Sequence, residues 1–186
     1  VSPGCDNCYA ERLTKMQGKD FSEVRLLPHK LDFPKTVKEP SMFFVNAFSD
    51  LFHKEVPDSF RNQIFRVICQ CPQHRFQILT KRARQMREYV DKYQSLVEPC
   101  EDRIWYGVSV ETRAFMWRVE ELLDIPILNR FISFEPLLDR IPEDILRPKD
   151  VQLIDWIIVG GESDYKNPRL MNPEWAREIR DFARDY

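Results

Sequence analysis

The stretch RFQILTKRARQMREYV, residues 75–90, changes its period halfway along. RFQILT (75–80) is a short apolar run, and a helical pattern takes over near residue 81 and continues to about residue 95. The run is continuous rather than alternating, as a parallel strand covered on both faces requires. The same unit recurs on either side. MFFVNAF (42–48), IWYGVSV (104–110), RFISFE (130–135) and DWIIVGG (155–161) are further runs of this kind, and helical patterns fall near 57–71, 112–124 and 173–185. The first of these helices opens at Pro57-Asp58 and carries Phe60, Ile64, Phe65, Val67 and Ile68 as a stripe. The last opens at Asn172-Pro173 and repeats Trp175, Ile179 and Phe182 at helical spacing. Strand–helix alternation of this sort predicts an α/β fold around a parallel sheet, either a barrel or a doubly wound sheet.

A chain of 186 residues with 43% hydrophobic and 31% charged residues suffices for one domain with a real core. No second domain, internal repeat or low-complexity tract is visible. Residues 19–40, KDFSEVRLLPHKLDFPKTVKEP, are rich in proline and charge and read as a long excursion before the first strand. A net charge of -2 gives no global basic field, so any nucleic-acid contact needs a local patch. No apolar run is long enough for a membrane span, and no secretory signal is visible. The odd set Cys5, Cys8, Cys69, Cys71 and Cys100 argues against a disulfide scaffold and for a reducing compartment, hence the cytoplasm. Cys69 and Cys71 close an apolar helix and read as buried small hydrophobes. Cys100, beside Pro99 in a polar loop, reads as a residue without a role.

Polar residues gather just after each strand. They are Asn46, Ser49 and Asp50; Thr80 and Lys81; Ser109 and Glu111; Glu135; and Gly160, Gly161 and Glu162. That edge is where α/β folds build their sites. Taken singly, each residue is as well explained by helix capping or by a favourable place near a helix dipole. Polar groups at all five strand ends make a shared pocket the better account. Lys81, Arg82, Arg84 and Arg87 lie close together and form either a phosphate-meeting patch or a solvated helix face. His53 is a candidate proton donor or a structural hydrogen-bonding residue. His29 and His74 fall in loops without apparent partners.

The opening stretch VSPGCDNCYAERLTK (1–15) sets Cys5 and Cys8 three residues apart before a helix. A thioredoxin-like redox pair is a poor match to Asp6-Asn7 between the cysteines. Zinc needs two more Cys or His at close spacing, and none follows nearby. A three-thiolate iron–sulfur site needs one more cysteine.

Six motifs in order, SPGCDNCYAER (2–12), FVNAFSDLFHKEVP (44–57), FQILTKR (76–82), WYGVSVE (105–111), RFISFEPLL (130–138) and WIIVGGES (156–163), resemble a phage-associated family of unknown function. That family is similar to radical S-adenosylmethionine enzymes, and more distantly to spore photoproduct lyase. The resemblance implies a single domain forming a partial parallel TIM-like βα barrel. It implies that the first strand and the first cluster cysteine precede Val1, and that the chain also continues past its last residue here. It implies a 4Fe-4S cluster held by three cysteines, Cys5 and Cys8 among them, and S-adenosylmethionine cleaved to a 5′-deoxyadenosyl radical. Tyr9, after Cys8, replaces the aromatic residue that ordinarily precedes the last cluster cysteine, a position held here by Asn7. By position, Asn46, Ser49 and Asp50 take the methionine amino group, since the Gly-Gly-Glu at 160–162 lies on the wrong strand for that task. Lys81 suits the carboxylate, Ser109 and Glu111 the ribose hydroxyls, and Glu135 the cofactor or the substrate. Glu162 and Arg169 are substrate candidates, and an electron-donor protein is an implied partner. The substrate is open, with a nucleic acid or nucleotide as the class to test.

Two other classes fit the residues. A cluster-free or zinc-binding barrel would bind a nucleotide or a partner protein, with Cys5 and Cys8 structural. A hydrolase or isomerase barrel would use Asp50, Lys81 and Glu135.

Overall fold

The computed structural model describes residues 2–142, 152–163 and 167–185. In chain order the elements are α1 (Tyr9–Met16), α2 (Phe33–Thr36), β1 (Met42–Val45), α3 (Asp58–Cys69), β2 (Arg75–Thr80) and α4 (Ala83–Lys92). They continue with α5 (Gln94–Val97), β3 (Ile104–Ser109), α6 (Trp117–Leu123), β4 (Asn129–Phe134), β5 (Trp156–Val159) and α7 (Pro173–Asp185). All five expected strands form, each within two or three residues of its apolar run.

The strands make one sheet in the order β1-β2-β3-β4-β5, and every neighbouring pair is parallel. Parallel neighbours need crossovers, which the intervening helices supply. The order never reverses, so the sheet lacks the switch point of a doubly wound fold. It is also not closed, since β1 and β5 are its two edges.

Strand register separates the two faces. Phe76, Ile78, Ile104, Tyr106, Val108, Ile132 and Phe134 join one core with Phe65 and Ile68 of α3, Met86, Tyr89 and Val90 of α4, Val119 and Leu122 of α6, and Ile179 and Phe182 of α7. Burying each large side chain of this set contributes about 1.5–3 kcal/mol. The opposite face carries Met42, Phe44, Gln77, Trp105, Gly107, Phe131 and Trp156, paired in register. Phe131 lies over Gly107, and a methyl group on that glycine would overlap its ring. Trp156 packs against Phe131 and Trp105, with ring centroids 6.1 and 6.0 Å apart. Continuous apolar runs predict burial on both faces. Strands β2 to β4 obey, while the edge residues Met42, Phe44 and Trp156 stay 49%, 45% and 41% exposed.

Three expectations about single residues are corrected. Cys69 and Cys100 pair as a disulfide with Cα atoms 5.0 Å apart, so Cys100 has a partner and Cys69 is not a free hydrophobe. The polar sequence around Cys100 hides this, because a 3-10 turn over residues 98–103 folds that one side chain inward to complete burial. Cys71 is free and buried, as expected. His74 does have partners. It is fully buried, Nδ1 accepts from the Ser41 amide at 3.2 Å, and Nε2 lies 3.0 and 3.1 Å from the carbonyls of Pro34 and Val37. It therefore ties the excursion to the start of β2.

Candidate functional site

After β1 the chain turns at Asn46, whose φ of 68° is left-handed backbone that asparagine tolerates better than most residues. Its amide donates to Ser49 Oγ at 2.8 Å, so both residues serve the turn that delivers Asp50. Asp50 is a hub. Oδ1 accepts from Thr80 Oγ1 at 2.8 Å and the Phe52 amide at 2.9 Å, and Oδ2 from Arg82 Nη1 at 2.7 Å and the Lys81 amide at 3.3 Å. The ends of β1 and β2 are joined through this one carboxylate.

Glu111 is the second hub. It is completely buried, and its oxygens accept from Arg118 Nη1 at 3.1 Å and Ser2 Oγ at 2.6 Å and form an ion pair with Lys81 Nζ at 3.1 Å. Arg118, on α6, is itself 1% exposed and also donates to the Ser109 carbonyl at 2.7 Å. Its guanidinium lies over the Phe115 ring, 4.3 Å from the centroid. Burial pushes the Arg118 pKa down while Glu111 pushes it back up, as expected for a charge held inside by its partner. No sequence signal beyond a lone Arg in an apolar helix marked this residue, so it was missed.

The cysteine loop sits on Glu111. Ser2 bonds to it, and a Cβ on Gly4 would come 2.5 Å from Glu111 Cγ, so this position has room only for glycine. Cys5 and Cys8 are free and half-buried, and Cys8 caps α1 with extended backbone. Ser2 Oγ, which donates to Glu111, also lies 3.9 Å from Cys5 Sγ, and this places Cys5 beside the strand-end network. Tyr9 packs edge-on against Phe48, with centroids 5.8 Å apart, and its hydroxyl donates to the Ala47 carbonyl at 3.3 Å.

Glu162 and Arg169 grip the loop from the other side. Asn7 Nδ2 donates to Glu162 at 2.9 Å, and the Arg169 amide and Nε donate at 2.8 and 3.0 Å. Arg169 Nη2 also bonds Glu162 and donates to the Pro3 carbonyl at 2.8 Å, while Asp6 lies 3.7 Å from Nη1. Hydrogen bonds from the Arg169 side chain hold the Glu162 carboxyl down at about 2. Glu135 stays exposed after β4, with Gly160 leaving space beside its carboxylate.

The structure thus gathers Cys5, Asp50, Lys81, Ser109 and Glu111 at one rim. Glu162 and Arg169 bond to each other and to the loop. The basic segment turns out to be paired within the chain. Lys81 meets Glu111, Arg82 meets Asp50, Arg84 meets Glu121, and Arg87 meets Glu121 and Asp124. His53 Nδ1 accepts from the Glu55 amide at 3.3 Å within its own turn, and His29 is exposed.

Fold and rim together define an α/β protein with a parallel sheet whose cysteine-bearing loop rests on the strand C-terminal ends. The whole chain, residues 1–186, matches the family described as protein of unknown function (DUF5131), and it belongs to that family. Among curated proteins and among solved structures, none matches. No helix among the described residues is long and apolar enough to cross a membrane.

Proposed function

We propose that this protein is a radical S-adenosylmethionine enzyme, and that its sheet is part of a partial TIM-like barrel with Cys5 and Cys8 as two of three cluster ligands. One observation carries it. Two free thiols of a C-x-x-C loop lie at the C-terminal edge of a parallel sheet whose helices α3, α4, α6 and α7 pack on one face. Cys5 and Cys8, free and half-buried, supply two thiolates, and among the described residues no three His, Cys, Asp or Glu side chains are grouped to hold a metal ion. The third thiolate of the proposed set rests on the resemblance alone.

The cluster, when bound, supplies the electron that opens the sulfonium of S-adenosylmethionine. The chain's own residues then have distinct tasks. Lys81 has spare donors for a carboxylate, because its Nζ is paired with a single Glu111 oxygen. Glu135, exposed at the rim, is free to accept from a hydroxyl or amine. Asp50 and Glu111 hold the rim together, their oxygens already occupied. This also weighs against a hydrolase barrel with Asp50 as base, since a carboxylate accepting four donors is poorly placed to take a proton.

The test is anaerobic reconstitution of the full-length protein with iron and sulfide. About four irons per chain, lost on Cys5→Ser or Cys8→Ser but kept in a Cys69/Cys71/Cys100 triple serine variant, is the expected result. Iron that survives Cys5→Ser and is lost in the triple variant would overturn the proposal.

A further inference from the structure

We infer that Glu162 and Arg169 are positioning residues for the thiols of Cys5 and Cys8, acting through Asn7 and the Pro3 carbonyl. This rests on the proposal that the loop is a ligand loop, but it is tested separately from it.

The loop has little to hold it by itself. Its backbone bonds are the short-range Cys5 N–H to Ser2 O at 2.8 Å and Asp6 N–H to Pro3 O at 3.2 Å. Such a turn is too small to fix two side chains against the backbone entropy lost on ordering each residue. The fixed points come from far along the chain. Glu162 reaches Asn7 across 155 residues, and Arg169 reaches Pro3 across 166. Asn7 lies between the two cysteines, so a bond to its side chain sets the turn that relates them. Arg169 answers to both partners, bonding Glu162 through its backbone amide, Nε and Nη2 while Nη2 also meets the Pro3 carbonyl. A planar guanidinium suits this double duty, and a lysine ammonium does not. Glu162 is saturated by Asn7 and Arg169, which is why its place is structural and not that of a substrate ligand.

The experiment uses the full-length protein without cluster. Amide exchange at Cys5 and Asp6, and alkylation of Cys5 and Cys8 by iodoacetamide, are followed by mass spectrometry. The variants are Asn7→Ala, Glu162→Gln, Arg169→Lys and the Asn7→Ala/Glu162→Gln double. Glu174→Gln, an exposed change of the same charge on α7, is the control. Each single variant should speed exchange at Cys5 and Asp6 about tenfold, as loss of a charge-assisted bond from a local opening equilibrium does. The double should go no further than the larger single, since both remove one interaction. Sheet amides should keep wild-type exchange. If Glu162→Gln loosens the sheet as well, Asn7→Ala, which touches only the loop end, decides. Rates within twofold of wild type, additive effects in the double, or an equal effect of Glu174→Gln would overturn the inference. Iron retention under chelator is read in parallel on reconstituted protein. A wild type that takes no iron sinks the proposed function, while the exchange data still decide the positioning role.

Discussion

Glu111 and Glu162 do the same job in opposite surroundings. Both are carboxylates that anchor the cysteine loop, one at Ser2 and Gly4 and the other at Asn7. Glu111 is sealed inside with Lys81 and Arg118, so removing it strands a buried cation. Glu162 is covered, but its partner Arg169 is 36% exposed, so water screens the pair. A buried anchor is therefore welded into the fold, and a surface anchor can be changed with the fold intact. That difference orders the effects that follow.

Glu111→Ala should be the largest. It leaves Arg118 buried without its carboxylate, and breaking a buried pair costs about 3–5 kcal/mol. Urea denaturation should show a loss of this size. An effect below about 1 kcal/mol, the range of exposed pairs, would make the two anchors alike and erase the contrast.

Gly4→Ala comes next. The new methyl meets Glu111, whose three partners keep it from moving aside, and overpacking of this kind costs about 1–3 kcal/mol. The loop should lift from Glu111, seen as faster exchange at Cys5 while the strands stay protected.

Glu162 supplies a pH signature. Its folded pKa, about 2, lies below the usual 4.5, so the pair stabilises fully above pH 4.5 and the contribution fades as pH falls from there toward 2. The gap in denaturation midpoint between wild type and Glu162→Gln should be flat near neutrality and close across that acid window. Its size should be on the order of 1 kcal/mol after screening, and smaller in high salt. A gap that widened on acidification would reverse the sign and refute the ion-pair account.

Tyr9→Phe should be the smallest. The hydroxyl bond to Ala47 is exposed and long, so its loss should stay within about 0.5 kcal/mol, while the ring contact with Phe48 is kept. A larger loss would mean a third anchor of the loop.

The strands were legible because burial on two faces leaves a local mark. Residues 75–80 and 104–109 are mostly apolar without strict alternation, and their neighbours in the sheet are the neighbours in sequence. The rim was legible as a tendency, polar residues following each strand, and Asp50, Lys81 and Glu111 do meet there. The partners were not. Arg118 lies on a helix whose apolar stripe gives no reason to bury a guanidinium, and only the carboxylate brought in from β3 explains it. Cys100 and His74 sit in polar surroundings and were misjudged, since local polarity says nothing about which one side chain turns inward.

Local periodicity by itself determined the α/β class, the five strands and the edge at which a site would lie, because strand and helix burial repeat at fixed short spacing. The tertiary structure alone decided that α3, α4, α6 and α7 share one face, that Cys69 meets Cys100, and that the loop around Cys5 and Cys8 is held by Glu111 and Glu162. Those are contacts between distant segments, and a hydrogen bond between residues 7 and 162 leaves no pattern in either neighbourhood. Only the closing of the chain around its core brings such groups within 3 Å, where direction and charge begin to matter.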